Sequence, residues 1–113
     1  MKLVYIASPY THADEDVRLS RFAAVRDYTA HLMQHMMSTG VVPFSPIVHC
    51  HEIALVNDLP KGYDYWLTVD KTFLRHADEL WVLMLDGWQQ SKGVKAEIAF
   101  AESILIPVKY CHE

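Results

Sequence analysis

The chain lacks most of the features that mark a specialised class of protein. Of 113 residues only two are cysteines, Cys50 and Cys111, far apart and outside any CxxC pair, so neither a disulfide framework nor a zinc site is suggested. Ten basic residues stand against 14 acidic ones, a net charge of −4. That balance, with no clustered basic patch, argues against a surface for duplex nucleic acid. It leaves open a small anionic ligand, which needs only a local cradle of amides and hydroxyls. No apolar run approaches the ~20 residues of a membrane span. The opening MKLVYIASPY breaks at Ser8-Pro9 too soon for a signal peptide, so the expected location is the cytoplasm, away from any membrane. GxGxxG and GxxxxGK[ST] are absent, so nucleotide folds of those two types are not supported, and neither GxSxG nor HExxH occurs. His31 and His35 lie one turn apart without a third ligand and read as a solvated face. No metal and no organic cofactor is expected.

What is present is patterning. Hydrophobic residues make up 51% of the chain, the profile of a globular protein, and no repeat or linker divides it, so residues 1–113 read as one domain. KLVYIA (Lys2–Ala7), VVPF (Val41–Phe44), ELWVLML (Glu79–Leu85) and ILIPVKY (Ile104–Tyr110) read as strands. Between them helices are expected over about Asp16–Thr39, closed by Gly40, over about Asp64–Ala77, and from Ser91 through SKGVKAEIAFA. Residues 45–62 read as irregular, with at most one helical turn near His51–Val56. Apolar strands alternating with helices predict a parallel sheet covered on both faces, a doubly wound α/β fold. Ligands in such sheets bind outside the carboxyl ends of the strands, where the loops beginning at Ser8, Ser45 and Asp86 should meet.

Two carboxylates break the pattern. Glu97 falls on the apolar stripe Val94, Ile98, Ala101, and Asp70 falls among Trp66, Val69, Phe73 and Ala77. Carboxylates are almost never fully buried unless paired, and burying one uncompensated costs several kcal/mol or forces it to take a proton. Either both sit at the border of their faces and reach water, or they line a cleft.

In order along the chain, YIASPY, VDKTFLRHADELWVLML and the spacing S-x-G-x-x-x-E at Ser91, Gly93 and Glu97 resemble the nucleoside 2-deoxyribosyltransferase superfamily, which includes the deoxynucleoside 5'-monophosphate N-glycosidases. The resemblance covers nearly the whole chain. It implies a three-layer flavodoxin-like or Rossmann-like sheet of four to five mostly parallel strands. It also implies cleavage, by hydrolysis or transfer, of the N-glycosidic bond of a nucleoside or nucleoside 5'-monophosphate. On that basis Glu97 is the catalytic nucleophile, Asp70 the proton donor or sugar-orienting group, and Tyr5 the tyrosine that positions the nucleophile. The residue-level alternative for Tyr5 is a core tyrosine with a satisfied hydroxyl. Helix-dipole stabilisation is expected to keep Glu97 ionised, on the reading that it lies in the first turn of its helix.

Ser91 and Gly93, at a helix start, form a plausible nest for a 5'-phosphate, with Ser8 adding a hydroxyl from the facing loop. Ser91 can equally serve as a helix N-cap. Asp86 stands where some relatives carry a base-binding acid. Trp88 could stack on a base or simply cover the sheet edge. The family habit of completing its pocket from a neighbouring subunit implies a homodimer or larger assembly. A non-catalytic nucleotide-binding module is the rival reading.

Overall fold

The computed structural model describes residues 1–56, 58–60 and 62–113. Four strands, β1 (Lys2–Ala7), β2 (Val41–Phe44), β3 (Glu79–Leu83) and β4 (Val108–Cys111), form one sheet in the order β2-β1-β3-β4. Every pairing is parallel, with Tyr5 opposite Phe44 on one side and Leu80 on the other. The expected doubly wound α/β architecture is the observed one, and the sheet has four strands.

Alternation along β1 builds the two cores. Tyr5 and Ala7 face one way, into a cluster with Leu74, Leu80, Val82, Val94 and Ala101. Val4 and Ile6 face the other, into a cluster with Val25, Leu83 and Leu85. Each fully buried aliphatic side chain contributes roughly 1.5–3 kcal/mol of transfer free energy. Helix α1 (Glu15–Gln34) covers the second face through Val25, Tyr28 and Leu32. Helices α4 (Tyr63–Leu74) and α5 (Lys92–Ser103) cover the first.

Helix α4 ends at Leu74 rather than Ala77 and β3 at Leu83 rather than Leu85, and three further boundaries depart more widely from the sequence reading. The first helix does not run unbroken to Thr39: it stops at Gln34 and resumes as a single turn, α2 (Met36–Thr39). The hydroxyls of Ser38 and Thr39 both donate to the His35 carbonyl, at 3.0 and 2.9 Å, offering the backbone a local alternative to the regular ladder. Gly40, at φ 74°, then closes the turn as expected. Residues Pro46–Val56 are not irregular but an 11-residue helix, α3. Ser45 Oγ accepts from the Val48 amide at 3.2 Å, and Pro46 stands at the first helical position, where its missing N–H costs nothing. At the far end α5 runs through Ser103, so β4 begins at Val108 rather than near Ile104. Leu105, at φ 64°, makes the turn between them.

The strand order fixes where a ligand can go. From β1 the chain crosses to β2 on one side, and from there past β1 to β3 on the other, so the connections diverge at the carboxyl ends of β1 and β3.

Candidate functional site

A cleft of about 680 Å3 lies at that point, walled by the loop after β1, by α3 and α4, and by the start of α5. Five of the eight residues singled out in the sequence line it directly: Ser8, Asp70, Ser91, Gly93 and Glu97. A sixth, Tyr5, lies beneath it and donates its hydroxyl to Glu97 Oε2. Tyr5 is therefore both a core residue and the partner of the cleft's most buried acid.

Glu97 is only 4% exposed, carried inward with Val94 and Ala101 on the buried stripe of α5. It is the sixth residue of that helix, in the second turn rather than the first. The dipole effect fades beyond the first turn, so it cannot hold this carboxyl ionised. Burial dominates instead. It raises the Glu97 pKa to about 8, the nearby Asp70 charge pushes in the same direction, and the Tyr5 hydrogen bond only partly offsets both. The expectation that the helix start keeps Glu97 ionised is thus corrected by its burial.

Asp70 projects from α4, where Tyr63, Trp66, Leu67 and Asp70 form the cleft wall and Leu74 continues the buried face. This face differs from the expected stripe, since Phe73 turns outward to stack on Phe44 with ring centroids 4.5 Å apart. Burial lifts the Asp70 pKa to about 6. Both acids are thus held above the ordinary carboxylate range, Glu97 further than Asp70, so Glu97 keeps its proton to the higher pH. Tyr5 is held well above its ordinary value by burial, and further by the adjacent Glu97.

The start of α5 is a donor cradle. Ser91 is its N-cap, with Oγ accepting from the Val94 amide at 3.2 Å, and the Ser91 carbonyl accepts from Lys95. The amides of Lys92 and Gly93 are left for solvent or a ligand. Ser8 also lines the cleft, and its buried Oγ has no hydrogen-bond partner among the described residues. A buried hydroxyl without a partner costs about 1–3 kcal/mol, a cost that a bound polar group would remove.

Two expected residues stand elsewhere. Trp88 follows Gly87, which adopts φ 86°, and the turn carries its indole onto the core beside Tyr110, with centroids 5.6 Å apart. It covers the sheet edge, the second of the two roles the sequence offered, and is outside the cleft lining. Asp86 is exposed and lines a smaller depression next to the cleft rather than the cleft itself.

Sequence reasoning missed the wall that α3 supplies. Ile47, Cys50, His51, Ala54 and Leu55 all line the cleft. Their spacing of three, four, seven and eight residues is that of one helix face, so the signal was present. His51 is held on two sides, stacked on Phe22 at 3.9 Å between centroids and hydrogen-bonded through Nδ1 to the Tyr10 hydroxyl at 3.3 Å. His49, by contrast, packs against Phe44 and Phe73 away from the cleft. Burial, with the Asp70 charge second, raises the pKa of the half-buried Cys50 thiol. Among the described residues no group of three or more His, Cys, Asp or Glu side chains is arranged to hold a metal ion. Nor is any described helix long and apolar enough to cross a membrane.

The chain belongs to the family described as a domain of unknown function, DUF1937, whose model matches residues 2–113. A comparison with curated proteins found no match.

Proposed function

We propose that the protein cleaves the N-glycosidic bond of a nucleoside or nucleoside 5'-monophosphate, using Glu97 as nucleophile. One observation carries the reading: a carboxyl buried at the base of a cleft, hydrogen-bonded by Tyr5 and coupled to a second carboxyl, Asp70. A purely structural role would leave two inward acids in a protein this small without a reason.

In the productive state Asp70 carries a proton and Glu97 is ionised. Glu97 attacks the anomeric carbon; a C–O bond forms as the C–N bond breaks, and the electron pair leaves with the base. Asp70 gives its proton to the departing base nitrogen. Asp70, now ionised, takes a proton from the water or acceptor base that attacks the glycosyl-enzyme, and Glu97 is released as carboxylate. This is the retaining scheme, in which one carboxyl alternates between acid and base. Positive charge developing on the sugar stabilises ionised Glu97, and the Tyr5 hydroxyl supports that same state, so the raised ground-state pKa is overcome where the barrier is.

The cradle at Ser91 and Gly93, with the unpartnered Ser8 hydroxyl in the same cleft, suits the substrate's 5' end, and the apolar wall of Ile47, Trp66 and Leu67 suits its base. A second copy of the chain would close the open mouth. Ile53, Leu55 and Val56 at the end of α3, with Tyr63 and Tyr65 of α4, leave apolar surface exposed beside it. The cytoplasm, which keeps free thiols such as Cys50 and Cys111 reduced, is the compartment that fits this reading.

Incubation with a panel of nucleosides and 5'-monophosphates, read as free base by chromatography, tests the proposal. Base release from at least one member is expected. Saturable nucleotide binding with no base released from any member would favour the second reading, a nucleotide-binding module that keeps the cleft without the chemistry.

A further inference from the structure

Beside the main cleft, and sharing Thr11, Gln90 and Ser91 with it, lies a second depression of about 440 Å3. Its charged centre is Arg21, reaching over from α1. Nη1 of Arg21 donates to the Thr11 carbonyl at 2.9 Å and Nη2 to the Asp86 carbonyl at 3.1 Å. The guanidinium thus ties the loop after β1 to the loop after β3. Gly87 makes the close approach feasible: a Cβ there would lie 2.5 Å from Nη2.

Both acceptors are neutral. Among the described residues no carboxylate stands within ion-pair distance of Arg21. A guanidinium has five N–H groups, so three remain after these two bonds, and no salt bridge among the described residues neutralises its charge. Because the side chain is already fixed, little rotamer freedom would be lost when a ligand binds. The Asp86 carboxylate, on the same wall, works against an anion, although the clamp itself uses only the Asp86 backbone. Ser91 stands at the junction, capping α5 on one side and bordering the depression on the other.

We propose that the Arg21 depression is a second anion subsite, taking the distal phosphate of a nucleoside 5'-diphosphate whose first phosphate rests at the start of α5. The proposal deepens the nucleotide reading and rests on it. It makes the substrate class longer at the 5' end than a monophosphate.

The test is calorimetric titration of the Glu97→Gln protein, which should bind without turnover, with mono- and diphosphates of the adenine, guanine, cytosine and thymine nucleosides. For the preferred base the diphosphate should bind at least about tenfold more tightly, the scale of one hydrogen bond to a charged group. Adding Arg21→Gln should erase that advantage while leaving monophosphate affinity within about twofold. Adding Asp86→Asn should widen the advantage, since it removes the opposing charge and spares the clamp. Equal affinity for the two nucleotides in the Glu97→Gln parent would overturn the subsite and leave the nucleotide reading standing. So would an advantage that survives Arg21→Gln. Should Arg21→Gln not fold, an Asp86→Asn protein with an unchanged diphosphate advantage would overturn it by itself. Failure of any nucleotide to bind would count against the nucleotide reading, and the subsite would fall with it.

Discussion

The Tyr5 hydroxyl donates to the Glu97 carboxylate across 92 residues of sequence, from the middle of the first strand to the second turn of the last helix. Both side chains are buried, so the bond works at low dielectric, where it matters most to whichever protonation state it favours. That state is the ionised one, since the hydroxyl lowers the Glu97 pKa. Tyr5→Phe removes the hydroxyl and keeps the ring in the core. The Glu97 pKa should rise further, and base release should fall roughly tenfold for each pKa unit of that rise, because less Glu97 is ionised and able to attack. Thermal unfolding should shift little, because the ring's packing against Phe44 is unchanged. A Tyr5→Phe protein with unaltered activity and an unaltered pH profile would dissociate Tyr5 from the chemistry.

Stability should vary with pH in a direction set by burial. The Glu97 pKa rises from 4.5 in an exposed carboxyl to about 8 in the fold, and that of Asp70 from 3.8 to about 6. Above the lower value of each pair, the folded state holds a proton that the unfolded chain has released. The contribution is therefore fully present below about pH 4 and is lost as pH climbs through 6 and 8. At about 1.4 kcal/mol for each pKa unit, the Glu97 contribution alone amounts to a few kcal/mol across that window. Glu79 runs the opposite way: hydrogen bonds from Lys2 and Trp81 hold it down to about 2, so its contribution is present above its ordinary value of 4.5 and is lost as pH falls from there toward 2. Denaturant titrations at pH 5 and pH 8.5 should show the wild type weaker at pH 8.5. Glu97→Gln should remove most of the difference, and an undiminished difference in that variant would contradict the assignment.

Asp70→Asn tests the coupling without any substrate. Removing the Asp70 charge takes away one cause of the raised Glu97 pKa and one cause of the raised Cys50 pKa. Both should fall. Peptide-resolved alkylation at pH 8 should then label Cys50 several-fold faster than in wild type, because the thiolate is the reacting form. An unchanged Cys50 rate would mean that the Asp70 charge does not reach across the cleft.

How much of this was legible in the sequence depends on which force decides each position. The four strands and the sheet's parallel character were readable because buried parallel strands need nearly continuous apolar runs. Glu97 and Asp70 were found because an acid on an apolar stripe is an energetic anomaly. Helix α3 was overlooked because Pro43, Pro46 and a pair of histidines resemble a loop, although Pro46 is at the one helical position that tolerates it. The state of Glu97 could not be read at all. A difference of one helical turn in its position, and its near-complete burial, outweigh the dipole argument that spacing alone suggested. Trp88 was unreadable for a related reason: the left-handed turn at Gly87 sends its indole to the core, and a tryptophan looks the same in sequence in either place.

Assembly gives a further test. Leu55 and Val56 are 74% and 76% exposed beside the cleft mouth. If a second copy covers them, light scattering at micromolar concentration should give a dimer or larger species. Leu55→Asp with Val56→Asp should then yield monomers with sharply reduced base release. A wild-type monomer with full activity would show that one copy completes its own site.

The measurement that bears most directly on the account compares base release by wild type and Glu97→Gln on the substrate the panel identifies. Gln keeps the volume of Glu97 and can still accept from Tyr5, but it carries no charge and is a poor nucleophile. Base release should fall by about three orders of magnitude or more, since attacking group and charge stabiliser vanish together. Substrate affinity by calorimetry should stay within a few-fold, and wild type stopped during turnover should carry the sugar's mass on the peptide containing Glu97. A Glu97→Gln protein that releases base at a near-normal rate, with no adduct on the wild-type peptide, would contradict the covalent mechanism.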